Sequence, residues 1–213
     1  MRPTASAYFD AFFQGNPKLA ATEAPTFQAI QAIADCYRAG GKVLTAGSGG
    51  SASDAEHITG ELLKSFRCKR EPSAAFKEAY IHRFGADEAL QKLEGGLPAV
   101  FLGGNFAVMT AILNDIGAEN MFAQQAYSLC KEGDVLLALS TSGNSQAIVN
   151  AVKVAQANGT TCVAITGETG GKLKAVADIT ITVPSRETYL VQELHIQIYH
   201  LICACIELEF FGE

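Results

Sequence analysis

At 213 residues, 48% of them hydrophobic and 18% charged, the chain holds enough apolar material for one well-buried core, which excludes a disordered polypeptide. Its net charge of −6 and pI near 5.3 argue against a nucleic-acid binder, whose affinity would rest on clustered Lys and Arg. A phosphorylated metabolite remains compatible, because backbone N–H groups and hydroxyls at a helix N-terminus hold one phosphate without basic side chains.

No run of about 18 apolar residues marks a membrane span. The start, Met1-Arg2-Pro3-Thr4-Ala5-Ser6, leads into Tyr8, Phe9 and Asp10 rather than into a hydrophobic signal core. The six cysteines, at 36, 68, 130, 162, 203 and 205, form no C-x-x-C pair and lie mostly in apolar runs. Reduced, mostly buried thiols in a cytoplasmic protein are therefore expected.

In chain order, the first forty residues read as N-terminal helices, the clearest over 24–38. A strand at 42–46 runs into a glycine-rich turn and a helix over 51–65. The stretch 67–96 carries a basic patch (Arg67, Lys69, Arg70), a helix predicted around 76–93, and Gly95-Gly96. It has no strand of its own and is long for a connection within a domain; a lid, a solvated excursion and an oligomer contact are all open. A strand at 98–102, helices at 106–113 and 120–131, a strand at 134–139, a helix at 145–157, strands at 161–166 and 178–183, and a helix over 189–209 complete the chain. The third and fourth strands are apolar almost throughout, as strands covered on both faces are. Strands alternating with helices predict an α/β fold, a doubly wound five-stranded parallel sheet in a single domain over 1–213. Ligands of such sheets bind beyond the carboxyl ends of the strands.

Two loops at those ends carry chemistry. The first strand enters Gly47-Ser48-Gly49-Gly50-Ser51-Ala52-Ser53-Asp54. Glycines permit positive φ and close backbone approach, and the serines add hydroxyl donors, although Ser51 or Ser53 would equally serve as an N-cap. The spacing matches neither the dinucleotide fingerprint nor the Walker loop. The third strand enters Ser140-Thr141-Ser142-Gly143-Asn144-Ser145, four hydroxyls in six residues opening a helix. Hydroxyls and amides converge on one phosphate in such a turn, aided by the helix dipole. A capped helix with surplus serines is the plainer alternative.

His57 and Glu61 lie four apart, on one helix face. Such a pair binds a divalent metal, orients a base, or is an ordinary surface pair. The last helix sets Gln192, Glu193, His195, Gln197, Tyr199 and His200 in an apolar segment. A polar stripe there must meet polar partners where it is buried, or it forms a solvated face or subunit seam. Neutral His, Gln and carboxylate suit a zinc-like ion.

Together these pieces resemble the SIS-domain (sugar isomerase) family and, within it, the phosphoheptose isomerases. The likeness covers roughly 24–209. It rests on Gly47-Ser48-Gly49-Gly50-Ser51, His57-x-x-x-Glu61, Asn114-Asp115, Leu139-Ser140-Thr141-Ser142-Gly143-Asn144-Ser145, Thr166-Gly167 through Gly170-Gly171-Lys172, and Gln192-Glu193-x-His195 with His200. The resemblance implies a flavodoxin-like fold and a homotetramer with sites near subunit interfaces. It implies one zinc per subunit held by His57, Glu61, Gln192 and His200, with Glu61 and His200 transferring protons. It further implies that Ser140, Thr141, Ser142 and Ser145 hold the phosphate of a phosphorylated sugar, while Ser48, Gly49, Ser51, Asn114 and Asp115 contact the sugar. Ser48 replaces the family's usual Asn, Tyr189 stands where an Asp is usual, and 67–96 is longer than its counterpart. These departures lie near the sugar, and which sugar phosphate is bound stays open.

The implied reaction is aldose–ketose isomerisation through an enediol. The alternative is a non-catalytic phosphosugar-binding, regulatory or assembly SIS-domain protein, which has no need of the His57/Glu61/Gln192/His200 set. A nucleotide-dependent enzyme is disfavoured by the missing fingerprints. On one continuous helix Gln192 and His200 stand about 12 Å apart at 1.5 Å per residue. Two arrangements follow: the helix starts after Gln192, or the two residues serve sites shared with a neighbouring subunit.

Overall fold

Five strands form one parallel sheet in the computed structural model, which describes residues 1–212. Val43–Gly47 (β1), Ala99–Phe101 (β2), Val135–Ser140 (β3), Thr161–Thr166 (β4) and Ile179–Thr182 (β5) stand in the order β2-β1-β3-β4-β5. All four pairings are parallel. This is the flavodoxin-like doubly wound order, as the alternation of strands and helices predicts.

The helices are Pro3–Gly15 (α1), Glu23–Arg38 (α2), Gly50–Leu63 (α3), Ala74–Phe84 (α4), Glu88–Lys92 (α5), Phe106–Asp115 (α6), Ala123–Leu129 (α7), Gln146–Ala157 (α8) and Thr188–Phe211 (α9). Period-two alternation in the strands divides the core into two layers. Val135, Leu137 and Leu139 of β3 join a cluster with Phe9, Ile33, Ile58, Ile198 and Ile202, from α1, α2, α3 and α9. Leu136 and Ala138 face Ala126, Ile148 and Val152 of α7 and α8. The apolar runs in β3 and β4 thus reflect cover on both faces.

Helix α9 has the length and mean hydropathy (1.3) to cross a membrane, but it packs along α1, α2 and α3 as the spine of the first layer. All six cysteines are free, and five are buried. The helix predicted around 76–93 is two helices, α4 and α5. Gly85 breaks it at φ 79°, and Asp87 then caps α5 by accepting from the Leu90 amide. Helix α4 buries none of its residues, so its apolar positions did not mark a core face. The segment predicted as a helix over 120–131 is helical only at Ala123–Leu129, after a 3-10 turn at Ala118–Asn120.

His195 of α9 is fully buried, and neither ring nitrogen has a hydrogen-bond partner. Burial pulls its pKa down from 6.5 to about 4. The unfolded chain therefore takes up a proton that the folded chain refuses as pH falls from 6.5 to 4. Stability contributed by the neutral ring is complete above 6.5 and is lost through that window. The loss is on the order of 3 kcal/mol at 1.36 kcal/mol per unit. Urea denaturation of wild type and His195→Leu across this range should show the steeper acid decline in wild type alone; parallel curves refute it.

Candidate active site

The register sets the carboxyl ends of β1 and β3 side by side, with Gly47 opposite Leu139, and Ser140 opposite Thr166 of β4. Strand order reverses between β1 and β3, and the crevice at such a switch point is where ligands of these sheets bind.

The β1–α3 turn is built around close approach. A Cβ at Gly47 would fall 2.0 Å from the Ser51 carbonyl oxygen, and one at Gly50 would fall 1.8 Å from Gln192 Nε2. Gly49 is the N-cap residue of α3 at φ 61°, and no side chain caps the helix, so neither Ser51 nor Ser53 is spent on capping. Ser48 is exposed and Ser51 buried.

The β3–α8 turn is braced by the loop after β4. Gly143 has φ 66°, and a Cβ there would meet the Gly170 carbonyl oxygen at 2.0 Å. Gly167 N–H donates to Thr141 O, Leu173 N–H to Gly143 O, and Lys172 N–H to Asn144 Oδ1. Ser142 Oγ accepts from the Asn144 amide, while the Ser145 side chain makes no cap bond. The capped-helix alternative is therefore not what occupies these hydroxyls.

Along the α3–α9 seam, His57 Nε2 lies 3.0 Å from Glu61 Oε1, and His57 Nδ1 lies 3.0 Å from the Tyr199 hydroxyl. That hydroxyl donates to Asp54 Oδ1 at 3.4 Å. It thus accepts from His57 Nδ1–H, which leaves Nε2 to face a carboxylate with a proton or a cation between them. The His200 ring centroid is 5.1 Å from that of His57 and 5.5 Å from that of Phe66. Burial, then the charge of His57, hold His200 below the ordinary histidine pKa, favouring the neutral imidazole. Glu61 Oε2, His200 Nε2 and Asp54 Oδ2 are buried without hydrogen-bond partners.

Two expected groupings change. Helix α9 is continuous from Thr188, so the helix does not begin after Gln192. Gln192 packs against Gly50 in the β1 turn and stands two turns before His200 along α9. Asn114 and Asp115 are exposed at the far end of α6, bonded to each other at 2.7 Å, and no hydrogen bond joins either to the two loops.

Residues 97–204 match the SIS domain family model. A phosphoheptose isomerase of Trichlorobacter lovleyi is 36% identical over 189 residues, covering 89% of this chain and 84% of its own. One from Burkholderia pseudomallei is 41% identical over 174 residues, covering 82% and 76%. The solved structure of a phosphoheptose isomerase from Francisella tularensis superposes with a TM-score of 0.75 at 33% identity, covering 94% and 95%. The chain belongs to the SIS-domain family.

Within this SIS domain, His57, Glu61 and His200 fit a divalent ion in donor chemistry, and the two orphaned atoms, Glu61 Oε2 and His200 Nε2, are the ones such an ion would satisfy. Among the described residues no three His, Cys, Asp or Glu groups stand together in a metal-holding cluster; His57 Nε2 faces Glu61 Oε1 at 3.0 Å. Two of the larger cavities, each about 560 Å³, lie elsewhere, between α1 and α2 and beside α4. In the single chain the seam is shallow, with the His57 side chain 46% exposed.

Sequence reasoning passed over Asp54 as a loop residue and gave Tyr199 no partner. The signal for both was an acid three positions before His57 and a Tyr next to His200. Tyr199→Phe removes the group that satisfies both His57 Nδ1 and Asp54. It should lower stability by about 1–3 kcal/mol in urea denaturation, the usual cost of stranding a buried polar group; an unchanged midpoint would remove the Asp54–Tyr199–His57 chain.

Proposed function

We propose that the protein is a sugar-phosphate aldose–ketose isomerase of the phosphoheptose isomerase type. The observation that carries this is the gathering of Glu61 and His200 around His57 on the α3–α9 seam, with His57 3.0 Å from Glu61 and 5.1 Å between the two imidazole rings. Glu61 and His200 each have a buried unpartnered atom, in a chain 36% and 41% identical to the two phosphoheptose isomerases above.

The reaction moves one proton between adjacent carbons and another between their oxygens. Glu61 is the base that takes the carbon-bound proton beside the carbonyl, giving an enediol, and returns it to the neighbouring carbon. His200, whose burial holds its pKa below the ordinary histidine value, accepts or gives the oxygen-bound proton. The phosphate is held at 140–145 by Ser140, Thr141, Ser142 and Ser145, with the start of α8 adding its dipole. The 48–51 turn and Gln192 face the sugar. His57, Glu61 and His200 would hold a zinc ion, which when bound polarises the carbonyl and lowers the cost of developing negative charge.

Gln192 joins that set, and Asn114-Asp115 reach a sugar, only if a neighbouring subunit brings surfaces together, so we place the site at a seam of a homotetramer. Phe106 (82% exposed) and Tyr127 (69%) are large apolar groups open for such contacts. Reduced cysteines and a phosphorylated substrate suit the cytoplasm.

Two measurements test the reading. The double variant Ser142→Ala/Ser145→Ala should weaken sugar-phosphate binding at least about tenfold with the fold intact, given charge-assisted bonds of about 1.5–3 kcal/mol each; unchanged affinity rejects the phosphate site. Glu61→Gln should abolish turnover of C5 to C7 ketose and aldose phosphates, followed by NMR, with less damage to binding. An active Glu61→Gln enzyme removes Glu61 from the chemistry.

A further inference from the structure

Beside the acid–base pair lies a charge pair that no part of the proposed chemistry uses. Arg70 and Glu207 have fully buried side chains, and Arg70 Nε donates to Glu207 Oε1 at 2.7 Å. Every arm of the guanidinium is committed. Nη1 donates to the Leu62 carbonyl at 2.7 Å and Nη2 to the Glu61 carbonyl at 2.8 Å, while the Phe211 ring lies 5.1 Å from its central carbon. Those carbonyls belong to the last turn of α3, where a helix has no acceptor bonds of its own and its dipole favours a cation. A planar five-donor fork is the side chain that can cap two carbonyls and meet a carboxylate at once.

Glu207 is committed as fully. Its Oε1 accepts from Phe66 N–H at 2.8 Å, and its Oε2 from Arg67 N–H at 2.8 Å and Cys68 N–H at 3.2 Å. Burial alone would raise its pKa, but the Phe66 and Arg67 amides and the Arg70 guanidinium hold it below the ordinary carboxylate value. Glu207 stands seven residues after His200, two turns on and on the same face of α9. Phe66, whose amide Glu207 holds, places its ring against His200. One ion pair thus reaches the backbone of Glu61 on α3 and, through Phe66 and the shared helix face, the imidazole of His200.

We propose that Arg70 and Glu207 are positioning residues of the isomerase site, a buried strut that fixes the end of α3 against α9 and so sets the spacing of Glu61 and His200. This rests on the assignment of Glu61 and His200 as the proton-transferring pair. Apolar residues of similar volume would fill the same space without the desolvation of two charges; the strut's geometry is what they would not supply.

The test uses the full chain carrying Arg70→Lys, and separately Glu207→Gln, with two readouts. The ¹H–¹⁵N imidazole shifts of the four histidines at one fixed pH report geometry without turnover. The values of kcat and KM for aldose–ketose interconversion report catalysis. Lysine keeps the charge but cannot bridge two carbonyls and a carboxylate, so the shifts of His57 and His200 should move while those of His82 and His195 stay. In the same variant kcat should fall roughly ten- to hundredfold, with KM within about twofold, as expected when reacting groups are misplaced but phosphate binding is untouched. Should Arg70→Lys fail to fold, Glu207→Gln, which keeps one acceptor oxygen in place, carries the same readouts. Folded variants with wild-type His57 and His200 shifts and wild-type kcat would overturn the proposal, leaving only a contribution to stability. Wild-type inactivity on every sugar phosphate would reject the isomerase reading instead, and the imidazole shifts would still decide the strut.

Discussion

Helix α9 is drawn into the interior along most of its length, so each polar group that it carries inward has to be met there or left at a cost. Gln192 lies in the space left by the missing side chain at Gly50. Tyr199 is met by Asp54 and His57, and Glu207 by Arg70 and three amides. His195 is left unmet, and burial lowers its pKa and favours the neutral ring. His200 keeps Nε2 unpartnered at the seam with α3. The layout of the candidate site follows from this one helix being both core spine and carrier of functional groups.

The parallel sheet supplies the second half of the layout. Because β1 and β3 are neighbours whose crossovers run in opposite directions, their carboxyl-end turns open at one crevice. The hydroxyl-rich turn after β3 and the glycine-rich turn after β1 therefore border that crevice from two sides. Helix α3 starts in that crevice and carries His57 and Glu61 away from it, toward the part of α9 that holds His200. A phosphorylated substrate anchored at 140–145 would then extend its carbon chain across the 48–51 turn toward the acid–base pair.

Much of this was legible in the sequence. The apolar runs of β3 and β4, the two turns, and the i,i+4 pair of His57 and Glu61 all depend on local pattern, and local pattern is what a sequence displays. What failed to show depends on long-range packing. Arg70 looked like part of an exposed basic patch with Arg67 and Lys69, yet it alone of the three is buried, because its partner lies 137 positions away. Glu207 drew no notice within the helix over 189–209. The single helix around 76–93 overlooked what Gly85 and Asp87 do together: a glycine at positive φ ends one helix, and a carboxylate caps the next. The resemblance grouped Gln192 with His200, and whether α9 ran unbroken between them, keeping them two turns apart, was settled only by the fold.

The polar interior also explains why the seam holds its shape while containing unpaired atoms. Glu61 Oε2, His200 Nε2 and Asp54 Oδ2 each carry the penalty of burial without a partner. Left to relax, such groups would turn toward water or toward one another, as His57 and Glu61 already do at 3.0 Å. Relaxation is resisted from both ends of the seam. Tyr199 and Asp54 fix the imidazole of His57 from behind, and Arg70 fixes the backbone of Glu61 from below. Satisfied charge thus encloses unsatisfied polarity, an arrangement that suits a site built to bind something other than itself. It also ties α3 to α9 by contacts that apolar packing would not specify, since Leu62 and Ile198 would tolerate a sliding interface where a guanidinium on two carbonyls would not.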